Sequence, residues 1–122
     1  MSKKVLVADD SSVIQTLTKK ILTTQDFEVK GLKSGVKVME TIEKDDYDVI
    51  LMDINLPGVD GMTLINQIRG LKNNKSKTPI IIISGNYKNY SKEDFEKLDI
   101  SIFLKKPLDY DALVDAVKAV AL

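Results

Sequence analysis

Five residues in this chain combine reactive side chains with a telling position, each at or just past the end of a short apolar run. Asp9 and Asp10 follow "VLVA", Asp53 follows "DVILM", Ser84 ends "PIIIIS", and Lys106 sits between "SIFLK" and Pro107. The chain contains no cysteine and no histidine. Thiolate and imidazole chemistry are therefore excluded, whether as nucleophile, base or metal ligand. A metal bound here must be held by oxygen, which suits Mg2+ or a related hard cation such as Mn2+.

Each residue also has a purely structural reading. In "DDSS" the side chain of Asp10, Ser11 or Ser12 can cap a helix N-terminus. Asp53 can be a polar stop before the turn at Pro57 and Gly58. Ser84 can open a turn, and Lys106 can be a solvated lysine like its neighbour Lys105. What separates these readings is whether the elements bring the residues together.

The chain has 122 residues, enough for one domain with a real core and too few for two ordinary ones. A single domain over residues 1–122 without an output domain is expected. Hydrophobic residues make up 43% and charged residues 30%, a globular rather than disordered composition. Lys plus Arg and Asp plus Glu are equal at 18 each, so there is no overall positive field to hold nucleic acid or anionic lipid. No apolar run reaches bilayer length, and the N-terminus meets charge early. A cytoplasmic protein is expected, without membrane or direct nucleic-acid contact and with no reason to form an obligate dimer.

The runs "VLVA", "DVILM" and "PIIIIS" have the length and branching of strands covered on both faces. "FEVKGL" from Phe27 and "SIFLKK" from Ser101 mix polar and apolar residues and suit sheet edges. Between the strands, helical spacing links Val13, Leu17 and Ile21; Met39 and Ile42; Ile65, Ile68 and Leu71; and Leu113, Val117 and Val120. The segment from about Tyr90 to Leu98 offers only Phe95 and Leu98 as anchors, so it should be the least firmly packed helix. Strict alternation of strand and helix gives a doubly wound α/β fold: five parallel strands with helices on both faces. Three inner and two outer strands favour the order 2-1-3-4-5, as in flavodoxin and CheY.

In that order strands 1 and 3 are neighbours at the switch point, where ligands bind beyond the strands' carboxyl ends. Strands lie about 5 Å apart, so Asp9, Asp10 and Asp53 come within reach of one ion. A divalent cation relieves their repulsion, and carbonyls of the following loop can add oxygens. Ser84 and Lys106 should reach the same rim. A hydroxyl, an ammonium and a metal around a carboxylate suit an anion with several oxygens, and a phosphoryl group on Asp53 fits.

These residues in this order resemble the response-regulator receiver domain, the CheY-like family of two-component signalling. The likeness rests on Asp9 and Asp10 after strand 1, "DINLPGVDG" from Asp53, Ser84 after "IIII", and "KP" at Lys106 and Pro107. It covers essentially the whole chain. The resemblance implies that Asp53 takes phosphate from a phosphohistidine of a sensor histidine kinase or phosphotransfer protein. It implies that Asp9, Asp10, Asp53 and the backbone carbonyl of Asn55 bind Mg2+, that Lys106 assists, and that the Lys106–Pro107 bond is cis. It also implies that Ser84 and Phe103 act as switch residues, signalling through the fourth helix, fifth strand and fifth helix to a downstream effector. Asn55 and Asn86 flank the phosphorylation site at positions associated in the family with dephosphorylation rate. The chain departs from the family in the loop "GNYKNY" and in "KLDISIF" before strand 5.

Competing expectations are a receiver cut from a larger regulator or hybrid kinase, a Mg2+-dependent phosphatase with an aspartyl-phosphate intermediate, and a flavodoxin-like carrier. The phosphatase lacks a cap insertion and an acid at position 55. For the carrier, "ADDSS" presents two acids where a flavin phosphate would lie.

Overall fold

Period-two alternation along the central strands sends Val5 and Val7 to one side of a sheet and Leu6 and Ala8 to the other, so both faces need covering. The computed structural model describes residues 2–85, 90–100 and 102–121. In chain order the elements are β1 (Lys3–Ala8), α1 (Ser12–Thr24), β2 (Phe27–Leu32), α2 (Val38–Lys44), β3 (Val49–Asp53), α3 (Gly61–Arg69), β4 (Ile80–Ser84), α4 (Lys92–Glu96), β5 (Ile102–Lys105) and α5 (Tyr110–Val120). The sheet is entirely parallel, ordered β2-β1-β3-β4-β5. The expected order is the observed one.

Helices α1 and α5 cover the face carrying Val5, Val7, Leu51, Ile81 and Ile83, where Leu22, Leu113 and Val117 are buried against them. Helices α2, α3 and α4 cover the face carrying Leu6, Ala8, Met52 and Ile82, through Val38, Ile42, Leu64, Ile65, Ile68 and Phe95. Every residue of β3 and β4 is buried, while β5 is half-buried. At about 1.5–3 kcal/mol for each large apolar side chain, the central strands and their covering helices supply most of the hydrophobic stabilisation. The residues at their carboxyl ends are therefore held on the firmest part of the fold.

Three expectations need correction. The sheet-facing row of α1 is not Val13, Leu17 and Ile21. Val13 is 66% and Leu17 39% exposed, and the buried positions are Thr18 and Leu22, with Ile14 packing beside them. A polar Thr18 in the buried row displaced the apparent apolar stripe by one residue. The expected helix from Tyr90 to Leu98 forms only over Lys92–Glu96. A capping box between Ser91 and Asp94 sets its start, and Asp99 turns out of it at φ 57°. Lastly, β5 ends at Lys105 instead of Lys106. The Lys106 N–H still donates to the Ser84 carbonyl at 3.0 Å, but Pro107 has no N–H to continue the ladder. Ser101, Asn86 and the middle of "GNYKNY" lie outside the described residues.

Thr18 gives a direct test of this packing. It is 1% exposed, and its hydroxyl has no hydrogen-bond partner among the described residues. Thr18→Val keeps the shape and removes the stranded hydroxyl, so it should stabilise the domain by about 1 kcal/mol. Urea denaturation of both proteins would show it, and a loss of stability would mean that the hydroxyl is satisfied.

Candidate functional site

The carboxyl ends of β1, β3 and β4 form one rim. In register, Ala8 pairs with Met52, Asp53 with Ile83, and Ser84 with Lys105, so the residues following β1 and ending β3 and β4 stand side by side. Asp9, Asp10 and Asp53 each offer a carboxylate oxygen, and the three oxygens lie within 4.8 Å of one another. Asp9 and Asp53 are buried and Asp10 is exposed, so the cluster opens to solvent on the Asp10 side.

Local structure fixes each acid separately. Ser11 is the N-cap of α1, its side chain accepting from the Ile14 N–H, which leaves Asp10 free of the capping role. The Ser11 N–H donates to Asp9 Oδ1 at 2.8 Å, and the Asn55 N–H donates to Asp53 Oδ1 at 2.9 Å. Lys106 reaches across from beyond β5: its Nζ donates to Asp53 Oδ2 at 2.8 Å and lies 2.9 Å from Asp9 Oδ2. Burial pushes the Lys106 ammonium down, but the Asp53 hydrogen bond and the two carboxylate charges outweigh it and hold it above the ordinary lysine value. The lysine stays protonated at neutral pH. The Lys106–Pro107 bond is cis, as expected.

The residues fit a hard divalent cation. Asp9 Oδ2 is buried and ion-paired to Lys106 but receives no aligned hydrogen bond among the described residues, so it retains acceptor capacity inside the cluster. Three carboxylates face one ammonium, an excess of negative charge that a divalent cation would offset.

The geometry brings together all of Asp9, Asp10, Asp53 and Lys106, with buried Ser84 at the neighbouring strand end. Asn55 follows Asp53 in the same loop, and its N–H is committed to Asp53. Phe103 stands back from the acids on the face covered by α4. Its ring packs edge-on against Phe95 at 5.0 Å, and Phe95 in turn meets Tyr90 at 5.8 Å.

Two supporting residues carry no role of their own in the sequence, although Gly61 closes the "DINLPGVDG" motif. Gly61 opens α3 against the end of β3, its N–H donating to the Ile54 carbonyl at 2.8 Å. A Cβ there would lie 2.4 Å from the Asp53 carbonyl oxygen and 2.7 Å from Ile54 Cα. The "DG" at positions 60 and 61 thus combines an N-cap, Asp60, with a residue small enough for the helix to touch the Asp53 backbone. Gly61→Ala should cost about 2 kcal/mol, because both obstructions are backbone, and should weaken divalent-cation binding by shifting Asp53. Thermal denaturation and a Mg2+ titration would check both effects. The other is Gln15, whose only sequence signal is a polar side chain beside the buried row of α1.

Comparison with known proteins decides the family: residues 5–118 match the response regulator receiver domain. The chain belongs to that family. Members are phosphoacceptor signalling domains rather than conventional enzymes. This receiver is 31% identical over 117 residues to the CAI-1 autoinducer sensor kinase/phosphatase CqsS of Vibrio cholerae, covering 96% of the chain but only 17% of the kinase. Chemotaxis response regulator CheY4 of Vibrio cholerae superposes with a TM-score of 0.86 at 25% identity, covering 98% of this chain and 99% of that one. The receiver domain of sensor histidine kinase PA1611 from Pseudomonas aeruginosa PAO1 has a magnesium ion coordinated in its active-site cleft. It superposes with a TM-score of 0.86 at 26% identity, covering 99% of this chain and 98% of that one. Among the described residues no helix is long and apolar enough to cross a membrane.

Proposed function

We propose that this receiver is a phosphorylation-dependent switch in which Asp53 accepts a phosphoryl group from a phosphohistidine of a sensor histidine kinase or phosphotransfer protein. The observation that carries the reading is the joint engagement of Asp53 and Asp9 by Lys106, within the three-acid cluster at the switch point of the sheet. The bond from phosphorus to the imidazole nitrogen breaks as one from phosphorus to an Asp53 carboxylate oxygen forms, and the imidazole leaves with the electron pair. The chain has no histidine, so the donor lies outside these 122 residues.

Asp9, Asp10, Asp53 and the Asn55 backbone carbonyl would hold Mg2+, or Mn2+, as hard oxygen donors. That ion supplies positive charge to the phosphoryl oxygens. The chain's own contribution is alignment: the Ser11 and Asn55 N–H groups fix the carboxylates, and the Lys106 ammonium stands beside the acceptor. With Asp53 converted to the acyl phosphate, Lys106 and the Ser84 hydroxyl would turn to the new oxygens. Phe103, packed on Phe95, would carry the change to the face formed by α4, β5 and α5, where a downstream effector docks.

Acetyl phosphate with Mg2+ should add a single phosphoryl group detectable by intact mass, and a chelator should prevent it. No adduct, under conditions that label a known receiver, would overturn the reading. Phe103 has its own test: a rotamer unchanged between the free protein and a phosphoryl-mimic complex would remove it from the mechanism.

A further inference from the structure

Gln15 lies on α1, one helical turn past the N-cap Ser11, and its side-chain amide points into the junction of β1 and β2. Its Nε2 is 3.0 Å from the Val7 carbonyl oxygen, 2.9 Å from that of Asp9 and 3.0 Å from that of Leu32. Three acceptors around one atom identify it as the nitrogen, whose two N–H bonds are shared among them. On the other side, the amide oxygen occupies space that exists only because residue 31 is glycine: a Cβ there would fall 2.2 Å from Gln15 Oε1.

The Asp9 carbonyl is the important acceptor, because it belongs to the peptide plane joining Asp9 to Asp10. The Asp9 N–H donates to Leu32 O at 3.0 Å and its Oδ1 accepts from Ser11 N–H at 2.8 Å. The third constraint, on the carbonyl, comes from Gln15. Rotation of that one plane would move Asp10 as well as Asp9.

We infer that Gln15 is a positioning residue for the divalent-cation site, holding the Asp9–Asp10 peptide plane so that both carboxylates meet Asp53. The inference rests on the cation reading given above. Ligand-orienting partners typically alter metal affinity by 10- to 100-fold. Gln15 holds a ligand's backbone rather than its carboxylate, so the lower end applies.

The test is Mg2+ affinity, measured by calorimetric titration at a temperature where circular dichroism shows each protein fully folded. Gln15→Met keeps the volume and removes the donors, and it should weaken Mg2+ about tenfold. Gly31→Ala should act similarly with residue 15 left as glutamine, because the added methyl meets the flexible end of that side chain and displaces it. In the double variant the two effects should not add, since both remove the same contact. Should Gln15→Met fail to fold, Gly31→Ala carries the test. Wild-type Mg2+ affinity in the folded variants would overturn the inference and leave Gln15 as a tie between strands. If the wild-type protein bound no Mg2+, or Asp9→Asn bound it equally well, the cation reading itself would fall.

Discussion

Asp53→Asn is expected to take up no phosphoryl group from acetyl phosphate while remaining fully folded. The acceptor must be an anionic oxygen, and a neutral amide is a far poorer nucleophile. The fold should tolerate the change, because the side chain keeps its shape and an oxygen for the Asn55 N–H. Lys106 also retains Asp9 at 2.9 Å. Removing one of three clustered negative charges relieves repulsion, at the expense of one partner for Lys106. Stability without metal should therefore stay within about 1 kcal/mol of wild type. Intact mass beside the wild-type protein, with melting curves for both, reads the two effects. An adduct on the variant would place the acceptor elsewhere, and the nearby Asp9 or Asp10 would be the first position to map.

The acidic cluster was legible in the sequence because its signal and its geometry share one cause. Runs such as "VLVA" and "IIII" have the length and branching of covered strands, and in a parallel sheet the residues at the carboxyl ends of neighbouring strands meet on one rim. Lys106 was less legible. Position alone does not distinguish it from Lys105, and only the proline after it, read through the family resemblance, selected it. The α1 face was misread where polar residues face the sheet: Thr18 is buried with its hydroxyl stranded, and Gln15 spends its amide on main-chain carbonyls. Contacts to backbone leave no pattern of side-chain types. Gly61 and Gly31 are opaque for the same reason, since each marks the approach of atoms from another part of the chain.

Lys106→Met should slow phosphorylation about a hundredfold, the usual scale for losing one preorganised charge-stabilising donor. It should also destabilise the metal-free domain. The ammonium faces two buried carboxylates, at 2.8 and 2.9 Å, and Asp9 Oδ2 has no hydrogen-bond donor among the described residues, only this ion pair. Breaking a fully buried pair costs about 3–5 kcal/mol, but 23% of the Lys106 side chain is exposed, so water screens it and about 2 kcal/mol is expected. The pH dependence follows from the raised folded-state value of Lys106. A lysine titrating higher in the folded than in the unfolded state contributes fully below its ordinary value and loses that contribution as pH rises through the folded one. The stability gap between wild type and variant should thus be constant across neutral pH and narrow in strong alkali. Mg2+ should narrow it at neutral pH as well, by supplying the missing positive charge to the same carboxylates. Urea denaturation at neutral and alkaline pH, with and without Mg2+, separates these effects. A gap indifferent to Mg2+ would mean that the lysine and the cation do not share the acids.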